Sequence, residues 1–263
     1  MRLVIDVGNT ETVIGWFDSP GKGPRDPART WRWSTGTRRT PDELRLLVLQ
    51  VLRDGGVDPS GVEEAVVASV VPSVTEALEP CLGQIASGAV RVIHPATPLP
   101  IRLRVDEPLS VGADRIVNTL AASLLYGRDT VVVDLGTATT YDCISADGDF
   151  LGGVIAPGLQ AGQDWLGGRT AKLPRVEFGP PASVVGRRTE SCLQSGIFWS
   201  VVDAVEGIVR RIVEEWARPE PPLVVATGGH AGMVAAHAES IRKVEPDLTL
   251  IGLDLAGQHL AGS

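Results

Sequence analysis

Two short stretches carry a carboxylate out of an apolar strand and into a turn of small residues. They are VIDVGNT at 4–10, with Asp6, and VVDLGTAT at 132–139, with Asp134. Backbone amides in a glycine turn can all point to one side, and small side chains let an anion approach them closely. A carboxylate at the strand end would repel a phosphate, but it can hold a hydrated Mg²⁺ that bridges to phosphate oxygens. An aspartate beside such a turn is therefore suited to a metal-bound polyphosphate, and two facing copies could clamp one between two domains. Thr10, Thr12, Thr137 and Thr139 add hydroxyl donors. A single DxG is more often an ordinary strand end, because short motifs match by chance. Two copies at the head of two similar stretches favour nucleotide binding.

Two further stretches carry chemistry of their own. GADR at 112–115 puts Asp114 and Arg115 at the start of an amphipathic helix. Aspartate is favourable at a helix N-terminus in any case. The same pair could supply a base for an acceptor hydroxyl and a cation for an anionic substrate. ATGG at 226–229 reads as a strand-to-helix turn, or as a flat surface at Gly228 and Gly229 for adenine and ribose.

The elements that must position these residues follow from periodicity and punctuation. LVIDVG and ETVIGWFD read as strands, and RTWRWST alternates with Trp31 and Trp33 on one face. TPDELRLLVLQVLRDGG reads as a helix. Thr40 caps it, Pro41 opens it, Asp42 and Glu43 suit its positive end, Gly55 stops it, and Leu44, Leu47, Val48 and Val51 form its buried stripe. EAVVASVV is a continuously apolar strand of a covered sheet, PSVTEALEPCLGQI a helix and AVRVIH a strand. VGADRIVNTLAASLLYG is an amphipathic helix ended by Gly127. The strand–turn–strand–turn–strand pattern then recurs over TVVVDLGTATTYDCISADGDFLGGVIAPG. A long helix around 187–217, the strand LVVATGG and a short helix in GHAGMVAAHA follow. The second half thus repeats the order of the first. SPGKGPRDPAR at 19–29 reads as a hairpin loop.

Composition bounds the rest. The chain has 263 residues, enough for one large domain or two smaller ones, with 43% hydrophobic and 21% charged residues, as in folded globular proteins. Cys81, Cys143 and Cys192 are odd in number and far apart, which predicts free thiols in a reducing compartment and no disulfide frame. No CxxC or HExxH occurs. The formal charge of −8 argues against a broad nucleic-acid surface. No apolar run reaches the roughly 18 residues of a membrane span, and the N-terminus begins a strand instead of a signal peptide.

In chain order, DVGNT, GADR, DLGTATT, LGGVIAPG, RTAKLP, VVGRRT, QSGIF, ATGG and DLTLIGL resemble the motifs of type III pantothenate kinases, from about Leu3 to Leu253. GADR followed by DxGTATT is the specific part. The resemblance implies an α/β fold of two duplicated ribonuclease H-like domains facing a nucleotide cleft, in the actin-like ATPase superfamily. The expected division is residues 1–113, with the first phosphate loop, and 114–263, with the second loop, the adenosine turn and a dimer helix. The implied activity is ATP-dependent phosphorylation of pantothenate, the first step of coenzyme A synthesis, by a cytoplasmic homodimer using Mg²⁺ and K⁺ or NH₄⁺. No nucleic-acid or membrane partner is expected.

Carried over by motif, Asp6, Val7, Gly8, Asn9, Thr10, Glu11, Thr12 and Val13 form the first ATP loop, with Asp6 near Mg²⁺ through water. Asp114 is the general base, and Gly112, Ala113 and Arg115 complete the acceptor site. Asp134 binds the monovalent cation, Thr137 contacts ATP, and Thr189 reaches pantothenate from the partner subunit. Glu11 stands where the family has Asn or a similar neutral residue, Val105 where many members have Tyr, and Gly167 and Gly168 where bulkier residues are common. Two other readings stay open: a kinase of another small hydroxylated acid, and a non-catalytic ATP-binding regulator.

Overall fold

The computed structural model describes residues 1–18, 21, 23–169, 174 and 176–262, with residues 167–169 as backbone. The RTAKLP stretch from Thr170, the Gly167–Gly168 difference and part of the 19–29 loop lie outside the described residues or side chains. Two compact units emerge: residues 1–127, 147–150 and 247–263 in one, and 128–146 and 151–246 in the other.

In the first unit, β1 (Arg2–Val7), β2 (Glu11–Phe17) and β3 (Arg29–Ser34) form an antiparallel meander. The helix α1 (Pro41–Asp54) leads to β4 (Glu64–Ser69), parallel to β1, and α2 (Pro72–Gly83) leads to β5 (Val90–Val92), parallel to β4. The spatial order is β3-β2-β1-β4-β5. Leu3, Val4 and Ile5 are fully buried because β1 is central and covered on both faces. The predicted cap of α1 is present as a capping box between Thr40 and Glu43, and Leu44, Val48 and Leu52 face the core. A short β6 (Arg102–Leu103) precedes α3 (Ala113–Tyr126), which Gly127 ends at φ 56° by donating its N–H to Ser123 O at 3.0 Å.

In the second unit, β7 (Thr130–Leu135), β8 (Ala138–Ile144) and β9 (Asp149–Pro157) repeat the meander. Then come α4 (Leu159–Arg169), α5 (Thr189–Trp216), β10 (Leu223–Thr227), α6 (Ala231–Ala235) and β11 (Lys243–Val244). Both β10 and β11 run parallel, on the far side of β7 from β8. The order β9-β8-β7-β10-β11 matches β3-β2-β1-β4-β5 position for position, which is the expected duplication. The inner face of α5 fills this unit's core with Phe198, Val202, Val205 and Val209. Val201, Ile208, Ile212 and Trp216 are only partly buried. By length and composition α5 could cross a membrane, but its inner face packs on this sheet.

The division of the chain differs from the expected break at 113/114. Both α3 and the C-terminal α7 (Leu248–Ala261) belong to the first unit. The reason is packing. The two helices cross so closely that a Cβ on Gly252 would lie 2.1 Å from Val117 O. On its other side α7 is tied to the start of β1, where buried Asp254 pairs with Arg2 at 2.6 Å and with Arg25 at 2.9 Å. Asp114 therefore shares a unit with the first loop.

Candidate active site

Alternation along β1 sends Ile5 and Val7 into the core and leaves Asp6, half-buried, on the opposite face. The chain turns at Gly8, whose N–H donates to Glu11 O at 3.0 Å, and Asn9, Thr10 and Glu11 are exposed. The carboxylate of Glu11 is 3.8 Å from Arg32, and its side chain is 53% exposed, so it has a cation and solvent beside it. Thr12 pairs in register with Val7, on the face away from Asp6. Its hydroxyl is buried and hydrogen-bonded to that of Thr35 at 2.8 Å, so it is already engaged within the protein. Thr35 was not singled out from the sequence.

In the same unit Gly112 caps α3, and Asp114 lies in the first turn. Asp114 Oδ1 accepts the N–H of Arg115 at 2.8 Å. A Cβ on Gly112 would lie 2.4 Å from that oxygen, so glycine here is what lets the carboxylate fold back over the helix start. The Arg115 guanidinium stacks over buried Phe150, 4.9 Å from the ring centroid, which orients its plane. Ala113 is buried beneath them.

The second unit repeats the first device with a shorter turn. Gly136 N–H donates to Ala138 O at 3.2 Å, and the strands close on the pair Leu135–Thr139 where the first unit closes on Val7–Thr12. Asp134 is half-buried and Thr137 exposed. Thr139 occupies the position equivalent to Thr12; its hydroxyl is buried and makes no hydrogen bond among the described residues. Two glycines press on the turn from outside it. A Cβ on Gly158 would lie 2.1 Å from Thr137 O, and one on Gly228 would lie 2.5 Å from Asp134 Oδ1. Gly229 is exposed with open space beside its Cα, and His230, next along, donates its N–H to Leu135 O at 3.3 Å. Gly228 thus supports the Asp134 carboxylate, while Gly229 offers the open surface. Thr189, exposed, is the first residue of α5. It follows a start secured by Ser191 Oγ, which accepts from the N–H groups of Arg187 and Arg188 at 3.1 Å.

No three His, Cys, Asp or Glu side chains converge on a cation among the described residues. A hydrated Mg²⁺ keeps several waters and usually takes one or two carboxylates together with substrate phosphates. Asp6, near the end of β1 beside a glycine turn, has the chemistry of such a donor, and Asp134 stands at the equivalent place in β7.

The β3-β2-β1-β4-β5 order occurring twice, each time with an acid-bearing turn at the head of the central strand, defines the class: the actin-like ATPase and sugar-kinase fold. Solved structures agree. The chain matches a putative Baf family transcriptional activator from Campylobacter jejuni with TM-score 0.60 at 16% identity, over 99% of this chain and 100% of that one. It matches component A of (R)-2-hydroxyglutaryl-CoA dehydratase from Acidaminococcus fermentans with TM-score 0.54 at 16% identity, over 98% and 96%. Sequence narrows the class further. The family model described as type III pantothenate kinase matches residues 2–211. A type III pantothenate kinase of Syntrophotalea carbinolica is 42% identical over 253 residues, 96% of either chain. One from Saccharopolyspora erythraea is 43% identical over 269 residues, covering both chains completely. The chain belongs to the type III pantothenate kinase family.

Proposed function

We propose that this protein transfers the γ-phosphoryl group of ATP to the primary hydroxyl of pantothenate, giving 4′-phosphopantothenate and ADP, the first step of coenzyme A synthesis. The observation that carries this reading is identity above 40% over almost the whole length of relatives bearing that name. Asp6, Asp114, Asp134, Thr137 and Thr189 also all stand at their motif positions. The new bond joins the pantothenate oxygen to the γ-phosphorus, the bond from that phosphorus to the β-γ bridging oxygen breaks, and the hydroxyl proton passes to Asp114. One Asp114 oxygen accepts the Arg115 N–H. This fixes the carboxylate so that the other can take the proton. Arg115, held over Phe150, would pair with the pantothenate carboxylate. Gly112 and Ala113 shape the rest of that pocket.

Residues Asp6 to Val13 would hold the ATP phosphates, with Asp6 reaching Mg²⁺ through water. Thr137, Gly228 and Gly229 would also serve the nucleotide. Asp134 would hold K⁺ or NH₄⁺. Bound cations offset negative charge on the phosphates as the γ-phosphoryl group moves. Val201, Ile208 and Ile212 flank the buried stripe of α5 and are only partly covered by this unit's own core, which leaves apolar surface that a homodimer could cover. In that dimer Thr189 of one subunit would complete the acceptor site of the other. The setting is the cytoplasm, without nucleic-acid or membrane partners.

A second reading, a nucleotide-binding regulator without turnover, has in its favour the fold likeness to a putative transcriptional activator. At 16% identity that likeness carries the fold alone, and such a module has no need of Asp114. Coupled ADP release with and without pantothenate, in K⁺ buffer with Mg²⁺, separates the readings. Turnover that needs pantothenate supports the kinase. ATP binding without it supports the regulator, and turnover with a different hydroxy acid points to the replaced contact at Val105. Asp114→Asn should keep ATP binding and lose about 10²–10⁴-fold in kcat. A variant within a few-fold of the parent removes Asp114 from the role of base.

A further inference from the structure

The two phosphate loops are braced differently, and the difference isolates one residue. In each unit the first residue after the third strand of the meander reaches the loop: Thr35 after β3 and Gly158 after β9. In the second unit the brace is backbone against backbone, so close that a Cβ on Gly158 would lie 2.8 Å from Gly136 O as well as 2.1 Å from Thr137 O. In the first unit it is a pair of hydrogen bonds. Thr35 N–H donates to Thr10 O at 2.8 Å, and the Thr35 and Thr12 hydroxyls are hydrogen-bonded to each other at 2.8 Å. These bonds grip the chain on either side of Glu11. Both threonines are buried, Thr35 at 6% and Thr12 at 1% exposure, whereas Asn9, Thr10 and Glu11 lie in solvent.

An exposed loop of small residues buries too little surface to hold its own shape. Its amides can receive phosphate oxygens only if something else fixes them. We propose that Thr35 is a positioning residue for ATP: it does not touch the nucleotide, but through Thr10 and Thr12 it holds the Gly8–Thr12 turn in the shape that binds phosphate. The inference rests on the reading of this turn as an ATP loop. When a binding-competent conformation is only partly populated, the apparent dissociation constant rises in inverse proportion to its population. Losing the hydroxyl pair strands the buried Thr12 hydroxyl, which is worth roughly a tenfold change in that population.

The test uses Thr35→Val, which keeps the volume and removes the hydroxyl, and Thr35→Ser, which keeps the hydroxyl. Binding of Mg-ATP by calorimetry, KM for each substrate and the melting temperature without ligand are measured on the full chain. Thr35→Val is expected to weaken ATP roughly tenfold with KM for pantothenate unchanged. Thr35→Ser should stay within about threefold of the parent. Equal losses in both variants, a parallel rise of both KM values, or unchanged ATP affinity in Thr35→Val would overturn the proposal. If Thr35→Val does not fold, Thr12→Val probes the same pair from the other side, and failure of both to fold makes the pair a structural contact and also overturns it. A parent that binds no Mg-ATP defeats the ATP reading itself, a result distinct from a parent that binds while Thr35→Val binds equally well.

Discussion

Gly228→Ala tests how the second unit presents Asp134. Gly228 has φ +90°, a conformation L side chains rarely adopt, and an added Cβ would stand 2.5 Å from Asp134 Oδ1 and 2.9 Å from the backbone N and C of Leu135. The backbone strain is worth about 1–3 kcal/mol, and forcing a methyl into closed space costs about 1–3 kcal/mol more. Two of the three close atoms are backbone, so the turn itself must move. The third is the carboxylate assigned to the monovalent cation. The expected result is a fall in melting temperature of about 5 °C or more, with a weaker response of turnover to K⁺. Gly229→Ala is the control. No atom lies within 4 Å of its added Cβ, so its stability should match the parent within about 0.5 kcal/mol. Any loss it shows in ATP affinity then reports contact with the nucleotide. The assays are thermal unfolding by circular dichroism and initial rates across a K⁺ series. If Gly228→Ala melts with the parent and responds equally to K⁺, the packing argument is refuted.

Gly158→Ala should push the Gly136–Thr137 turn outward and lower kcat/KM for ATP by about 10²-fold, the scale of an ångström-sized displacement; a value within twofold of the parent contradicts it. Asp254→Ala leaves the Arg2 and Arg25 guanidinium groups without their shared carboxylate, which should cost about 3–5 kcal/mol in urea unfolding. A loss below about 1 kcal/mol would show the network to be incidental. Burial pushes the Cys81 thiol up to about 11 and the Tyr141 hydroxyl up to about 12. Both are neutral in the fold and ionise earlier in the unfolded chain. Their contribution to stability should therefore be constant below pH 9 and be lost as pH rises through about 11, with Cys81→Ala removing part of that alkaline slope. Glu11→Asn should change KM for ATP less than about threefold, because the carboxylate already faces Arg32 and solvent; a tenfold gain in affinity would show that it opposes the phosphates.

The sequence by itself determined the elements and the chemistry they carry. Apolar runs ending in Asp-x-Gly located both central strands, because a covered strand must be apolar throughout and only small residues allow the turn that follows. Thr40, Pro41 and Gly55 bounded α1 because capping is a local matter of which backbone groups lack partners. The repeated order of strands and helices announced the duplication. The tertiary structure decided what depends on residues distant in the chain. Leu248 and every residue from Leu250 to Gly257 of α7 are buried, and a helix covered on all sides over that length shows no stripe by which to recognise it. Its return to α3 and β1, through Gly252 and Asp254, moved α3 and Asp114 into the first unit. Thr12 and Thr139 look like phosphate donors in sequence, yet the alternation of β2 and β8 turns both hydroxyls inward, away from the face of Asp6 and Asp134. Thr35 and Gly158 look like ordinary strand ends. Their place against the two loops exists only once the third strand of each meander lies beside the second, because a bond or contact across a sheet depends on register, which no local pattern specifies.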